Sequence, residues 1–302
     1  MKKLMTFLNV SAASPSPAYE QVSSRECGSF QEVLIWYPSK DNDKISAYLL
    51  MPRKPNGAAI IIHHQHNGER HLGKSEVVGR SGNPLQAFGP ALAQKGFIVL
   101  APDSICFEDR RPNAKGTEPD DDGDFLQHFN EMTYRLIKGD TLMRKVLEDA
   151  SVGLSVLCGI PGVDLKRIGV LGHSYGGNTV LFQTALDSRI KFACASGAIC
   201  SYKNKIERGT GLEFSLAIPN IFQNFDFTDI LADAASRPFL VVSADEDKYA
   251  QDADVIVDDC KKQLGSAGAA LEHFRYRGGH ALTQERFDAI VDWLVKRGLD
   301  LS

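Results

Sequence analysis

Arg167-Ile168-Gly169-Val170-Leu171-Gly172-His173-Ser174-Tyr175-Gly176-Gly177 joins a short apolar run to a glycine-flanked serine. The run Ile168–Leu171 predicts a strand buried on both faces of a sheet. The G-x-S-x-G pattern directly after it predicts a sharp strand-to-helix turn with the serine at its apex. Such a turn forces unusual backbone angles on the serine and leaves no room beside it, which Gly172 and Gly176 satisfy by lacking a Cβ. The helix that follows aims its first N–H groups at the serine, where developing negative charge is favoured. A serine hydroxyl is a weak nucleophile, so the pattern implies chemistry only if a base and an acid lie elsewhere in the chain.

Outward from this segment, apolar runs alternate with helical periodicity. Val33–Tyr37 and Ile45–Leu50 read as an antiparallel strand pair. Ala58–His63, Phe97–Ala101, Phe192–Ser196, Phe239–Ser243 and Glu272–Tyr276 read as further strands. Helical spacing spans 84–95, 140–158, 176–186 and about 283–297. This predicts an α/β fold: a mainly parallel central sheet of about eight strands with helices on both faces. Residues 1–30, with Ser14-Pro15-Ser16-Pro17, read as an irregular N-terminal extension, and 31–302 as one domain. Two long stretches, about 104–139 and 199–236, read as insertions in it.

Composition narrows the function. The chain has 302 residues, 43% of them apolar, and a net charge of -4, which gives no nucleic-acid surface. No run approaches the roughly 20 apolar residues of a membrane span. The apolar patch after Lys2-Lys3 ends at Asn9, short of a signal-peptide core, so a cytoplasmic location is expected. Cys27, Cys106, Cys158, Cys194, Cys200 and Cys260 are scattered and read as reduced structural thiols. A homo-oligomer is compatible with all of this.

A serine elbow calls for an acid and then a histidine, in that chain order. His280, in Gly278-Gly279-His280 just after the last strand, fits the histidine. After the strand ending at Ser243 come Asp245, Glu246 and Asp247. A carboxylate three residues past the strand end can curl over the sheet edge, which favours Asp247, with Asp245 second. Its task is to fix the imidazole tautomer and stabilise the imidazolium. An oxyanion needs donors: the N–H of Tyr175, and one from the loop after His63, with Gln65 favoured and His66 close behind. His63, His64, His66 and His71 raise the question of a metal, but no H-E-x-x-H or nearby cysteine supports one. Asp120, Asp122, Asp124 and Glu131 match four positions of a calcium loop. The sixth position is Phe125 instead of glycine, so a solvated acidic loop is expected. No cofactor is required by this chemistry.

With these residues in place the chain resembles the α/β-hydrolase superfamily. Within it, the resemblance is to the dienelactone hydrolase-like and acetyl xylan esterase-like branch, which is similar to prolyl oligopeptidase catalytic domains. It runs from about 30 to 297, through Gly73-Lys74-Ser75-Glu76, Gly96–Asp103, Arg167–Gly177, Leu186–Lys191, Arg237–Leu240 and Gly278–His280. The resemblance implies Ser174, Asp247 and His280 as a triad. It also implies hydrolysis of a small-molecule carboxylic ester through an acyl-enzyme, with a short acyl group or an acetylated sugar as candidate. Two departures stand out: His63-His64-Gln65 where the branch has His-Gly, and Ala244 where it commonly has glycine. The rivals are a serine peptidase of prolyl oligopeptidase-like type and an inactive binding protein on the same scaffold. The insertions are expected to cover the site and set substrate choice. They bring Phe107, Phe125, Phe129, Tyr202, Phe222, Phe225 and Phe227, of which Phe107 and Phe225, with His64 and His66, are candidates to bind substrate.

Overall fold

A computed structural model describes residues 2–11 and 15–300. The expectations that fall on residues 1, 12–14 and 301–302 lie outside the described residues. Helix α1 (Lys2–Phe7) precedes strands β1 (Glu20–Cys27), β2 (Phe30–Pro38), β3 (Lys44–Pro52) and β4 (Ala59–His63). Helices α2 (Lys74–Val77) and α3 (Phe88–Gln94) lead to β5 (Ile98–Pro102), then α4 (Asp121–Ile137) and α5 (Leu142–Cys158). Strand β6 (Ile168–His173), helix α6 (Tyr175–Leu186) and β7 (Phe192–Ser196) follow. Helices α7 (Tyr202–Arg208), α8 (Ile221–Asn224) and α9 (Phe227–Ala234) precede β8 (Phe239–Ala244). The chain closes through α10 (Ala253–Leu264), β9 (Leu271–Tyr276) and α11 (Gln284–Asp300).

The strands form one sheet of nine in the order β1-β2-β3-β5-β4-β6-β7-β8-β9. The first three pair antiparallel, and β5 onward is parallel. Parallel strands need covering on both faces, and two apolar layers provide it. Ile61, Leu100, Val170 and Val241 face one layer with α5, α6 and α9; Ile60, Ile62, Val99 and Leu240 face the other with α3 and α11. All five residues of β4 are buried. Burying each such aliphatic side chain contributes about 1.5–3 kcal/mol. Among the described residues no helix is long and apolar enough to cross a membrane.

The structure adds to the sequence reading in three places. The segment expected to be irregular carries α1 and an extra edge strand, β1, which makes nine strands where about eight were expected. Every residue of β1 but Cys27 is exposed, so no burial pattern marks it. Both long insertions are largely helical. The acidic tract is the start of α4, and its acids suit the helix N-terminus. Asp124 is not solvated: it is buried and takes two hydrogen bonds of 2.6 Å from Nη1 of Arg111.

Candidate active site

The turn after β6 has the geometry its sequence demands. Ser174 sits at φ 55° and ψ -117°, a strained region for a residue with a Cβ. Its N–H donates to the Ser196 carbonyl of β7 at 2.8 Å, which helps hold that conformation. A Cβ on Gly172 would lie 2.3 Å from the Gly176 backbone, and one on Gly176 would lie 2.1 Å from the His63 carbonyl oxygen. The chain therefore packs backbone against backbone where β4, β6 and α6 meet. Ser174 is left half-buried at the start of α6.

Strand β9 and its following loop bring His280 to the serine. His280 Nε2 lies 2.8 Å from Ser174 Oγ, and its Nδ1 lies 3.0 and 2.9 Å from the two oxygens of Asp247. Asp247 hangs on the turn after β8 with its side chain 1% exposed, while that of His280 is 21% exposed. Tyr249 N–H donates to Asp247 Oδ1 at 2.9 Å, which fixes the carboxylate plane. Asp245, the second candidate, is exposed and accepts instead from Gly278 N–H at 2.8 Å. It anchors the histidine loop and does not contact His280 by hydrogen bond. Arg286, from α11, is buried and donates to the carbonyls of Arg277, Gly279 and Ala281 at 2.8–3.0 Å. No motif in the sequence announces this clamp.

The loop after β4 lies beside the elbow, because His63 pairs in register with Gly172. His63 Nε2 meets Gln183 Oε1 at 2.7 Å, and His64 Nε2 accepts from Ser104 N–H at 3.1 Å. Burial lowers their pKa values to about 4 and about 3, so both are neutral. The Gln65 side chain is buried, donating to Glu76 and accepting from Gln86. Ser104 Oγ and the Tyr175 hydroxyl share a hydrogen bond of 2.6 Å. The Tyr175 N–H opens α6, where the first amides have no partner within the helix.

A cavity of about 440 Å³ opens at Ser174 and His280. His66, Arg70, Phe125, Lys205, Glu213 and Phe214 are among its walls. Of the candidate binding residues, His66 is brought to it. His64, Gln65 and Phe107 are not: His64 and Phe107 are buried behind the wall, with ring centroids 4.7 Å apart, and Phe107 packs on Tyr175. Phe225 is turned elsewhere, against Phe7 of α1 at 5.4 Å. Phe129 stacks on Phe125, Tyr202 and Phe227 are buried in the core, and Phe222 is exposed. Both insertions contribute walls, through Phe125 of α4 and through Lys205, Glu213 and Phe214. Burial lowers the Lys205 pKa.

At the start of α2, Lys74 is 1% exposed, and its Nζ lies 2.8, 2.5 and 2.7 Å from Asp103, Glu108 and Asp109. Those three carboxylates lie close enough together to suggest a cation site. The ammonium already fills it, and the surrounding charges raise its pKa despite burial. The cluster ties the loop after β5 to α2 and so sets Ser104 against Tyr175.

The arrangement sets a strained serine within hydrogen-bond reach of a histidine that is backed by a buried carboxylate. The profile of the Dienelactone hydrolase family matches residues 45–292. The chain is 28% identical over 239 residues to "Putative hydrolase YtaP" of Bacillus subtilis (strain 168), covering 76% of this chain and 75% of that protein. It superposes on the structure described as a "putative acetyl xylan esterase" from Bacteroides fragilis NCTC 9343 with a TM-score of 0.74 and 16% identity, covering 98% of this chain and 85% of the other. On the glucuronoyl esterase from Solibacter usitatus the TM-score is 0.68 at 15% identity, covering 99% and 92%. At these identities the two structural likenesses concern the fold.

Proposed function

This chain belongs to the dienelactone hydrolase family, has its α/β-hydrolase fold and is a carboxylesterase-type hydrolase; we propose that Ser174 is its nucleophile, His280 its base and Asp247 its triad acid. The observation that carries this reading is the unbroken chain of hydrogen bonds Ser174–His280–Asp247 at 2.8 and 2.9 Å. His280 Nε2 takes the hydroxyl proton as Ser174 Oγ attacks the ester carbonyl. The tetrahedral oxyanion is held by the Tyr175 N–H and by a main-chain N–H of the Gln65–His66 pair. His66 lines the cavity and Gln65 does not, which favours the His66 N–H. Collapse breaks the carbon–oxygen bond of the alcohol, which leaves with the proton held by His280. Water then gives its proton to Nε2, attacks the acyl-serine and releases the acid.

The substrate class is a short-acyl ester, an acetylated sugar among the candidates. The cavity walled by Phe125, Phe214 and several polar side chains supports that class. A fluorophosphonate probe and p-nitrophenyl acetate test the reading together. Wild type is labelled at one serine and turns over the ester, and Ser174→Ala does neither. Labelling that survives in Ser174→Ala refutes the assignment.

A further inference from the structure

The variable residue of the G-x-S-x-G elbow takes no part in the proton relay, yet it lies against the base. His173 ends β6, is 2% exposed and pairs in register with Ser196 of β7. Its ring centre lies 4.9 Å from that of His280, with the two planes 31° apart. Its Nδ1 shares a hydrogen bond of 2.9 Å with Ser196 Oγ, which fixes the ring to the sheet. Its Nε2 is buried without a hydrogen-bond partner among the described residues. A buried polar atom left unpaired costs free energy that an apolar side chain would avoid, so the ring calls for a reason to be there. Burial, then the charges of His280 and Arg286, hold its pKa well below the ordinary value. A neutral ring can lie beside the imidazolium that forms during reaction without repelling it.

A second ring meets the same imidazole. Tyr249 is half-buried in the cavity wall, with its ring centre 4.9 Å from that of His280 and the planes 67° apart. Its hydroxyl makes no hydrogen bond among the described residues, so the ring itself is the contact. Its N–H holds Asp247, so one residue touches both the base and the acid. Gly197, at φ 59°, leaves the space these rings need: a Cβ there would lie 2.8 Å from His173 Cε1 and 3.2 Å from His280 Cε1. Asp247 fixes the imidazole at Nδ1, and Arg286 fixes the main chain of its loop, but neither fixes the tilt of the ring. Nε2 moves with that tilt, and a displacement of about 1 Å between reacting atoms costs about 10²-fold in rate. On the triad reading above, we propose that His173 and Tyr249 are positioning residues that hold the plane of the His280 ring, so that Nε2 stays on Ser174 while Nδ1 stays on Asp247.

The test separates ring from hydrogen bond and kcat from KM. With p-nitrophenyl acetate, His173→Ala lowers kcat about 10²-fold and leaves KM within about threefold. His173→Asn, which retains a partner for Ser196 but no ring, loses as much. His173→Phe, a ring without nitrogens, recovers about tenfold over His173→Ala. Tyr249→Leu lowers kcat about tenfold, and Tyr249→Phe recovers most of that loss. Full kcat in His173→Asn, or equal kcat in Tyr249→Leu and Tyr249→Phe, overturns the proposal. If His173→Ala does not fold, the Tyr249 pair decides alone, because that side chain is half-exposed. A second readout needs no turnover: the low-field proton resonance of His280 Nδ1–H, assigned by its loss in His280→Asn. It is sharp in wild type, broadened by solvent exchange in His173→Ala and Tyr249→Leu, and sharpened again in the two phenylalanine variants. Equal sharpness in all of them also overturns the proposal. If wild type neither hydrolyses the ester nor is labelled at Ser174, the esterase reading fails and the resonance still decides the positioning.

Discussion

Asp247→Asn tests the site at its least exposed member. The side chain is 1% exposed, and only one of its two oxygens also holds a backbone amide. Oδ1 accepts from the Tyr249 N–H at 2.9 Å and lies 3.0 Å from His280 Nδ1, while Oδ2 lies nearer to Nδ1, at 2.9 Å. An asparagine has one oxygen, and the Tyr249 amide can only donate, so the carboxamide oxygen is drawn to the Oδ1 position. Its NH2 group then faces His280 Nδ1 and donates to it. The imidazole answers by moving its proton to Nε2, against Ser174 Oγ, where it can no longer accept the serine proton. The same inversion of tautomer in a Ser-His-Asp hydrolase costs about 10⁴ in kcat, or about 5.5 kcal/mol of barrier. We expect that loss in the burst and steady-state turnover of p-nitrophenyl acetate, with KM little changed. Asp245→Asn retains an acceptor for Gly278 and should stay within about threefold of wild type, since no reacting group contacts it. Asp247→Asn with more than a tenth of wild-type kcat, or Asp245→Asn with a comparable loss, refutes the reasoning.

Lys74→Met leaves Asp103, Glu108 and Asp109 facing one another without a cation, and removing one partner of a buried ion pair costs about 3–5 kcal/mol. Urea unfolding should show that loss, and an unchanged midpoint would count against the cluster as a structural hub. Gly176→Ala sets a Cβ 2.1 Å from the His63 carbonyl oxygen. The elbow must then shift away from β4, and fluorophosphonate labelling should slow by about 10²-fold; an unchanged rate contradicts the close packing. His63 and His64 have folded pKa values of about 4 and about 3, below the ordinary 6.5. The unfolded chain binds their protons first as pH falls, so their stabilisation is complete above about pH 6.5 and is lost towards pH 3–4, at about 1.4 kcal/mol per pH unit per residue. Denaturation midpoints at pH 7 and pH 4.5 check this, and equal values would show that the two rings are not held neutral.

Much of this was readable along the chain because the residues concerned are neighbours in sequence. The elbow states its own geometry: an apolar strand, then glycines where backbone must touch backbone. Its strand order, and the places of His280 and Asp247 at strand ends, follow from how parallel sheets are wound. What escaped was set by distance in sequence or by exposure. Strand β1 lies at the sheet edge with polar residues on both faces, so periodicity could not reveal it. His173 ends β6 and Tyr249 follows β8, and only folding brings both rings to His280. Phe107 and Phe225 were reasonable aromatic candidates, yet hydrophobicity does not distinguish a residue that lines a cavity from one that packs behind its wall. Arg286 carries no motif at all; its duty is to three carbonyls of a loop, a pattern that side-chain identity does not encode.

The register between β4 and β6 has a consequence for ancestry. His63 stands directly across from Gly172, so the loop beyond one strand and the turn beyond the other begin a single inter-strand spacing apart, about 4.8 Å. That interval belongs to the sheet and is indifferent to what the stretches 104–139 and 199–236 contain. Beyond Glu108 and Asp109, which hold Lys74, those stretches can vary while the sheet keeps the elbow and the loop after His63 together. The frame is the heritable part, and the walls are the part that lineages can rewrite.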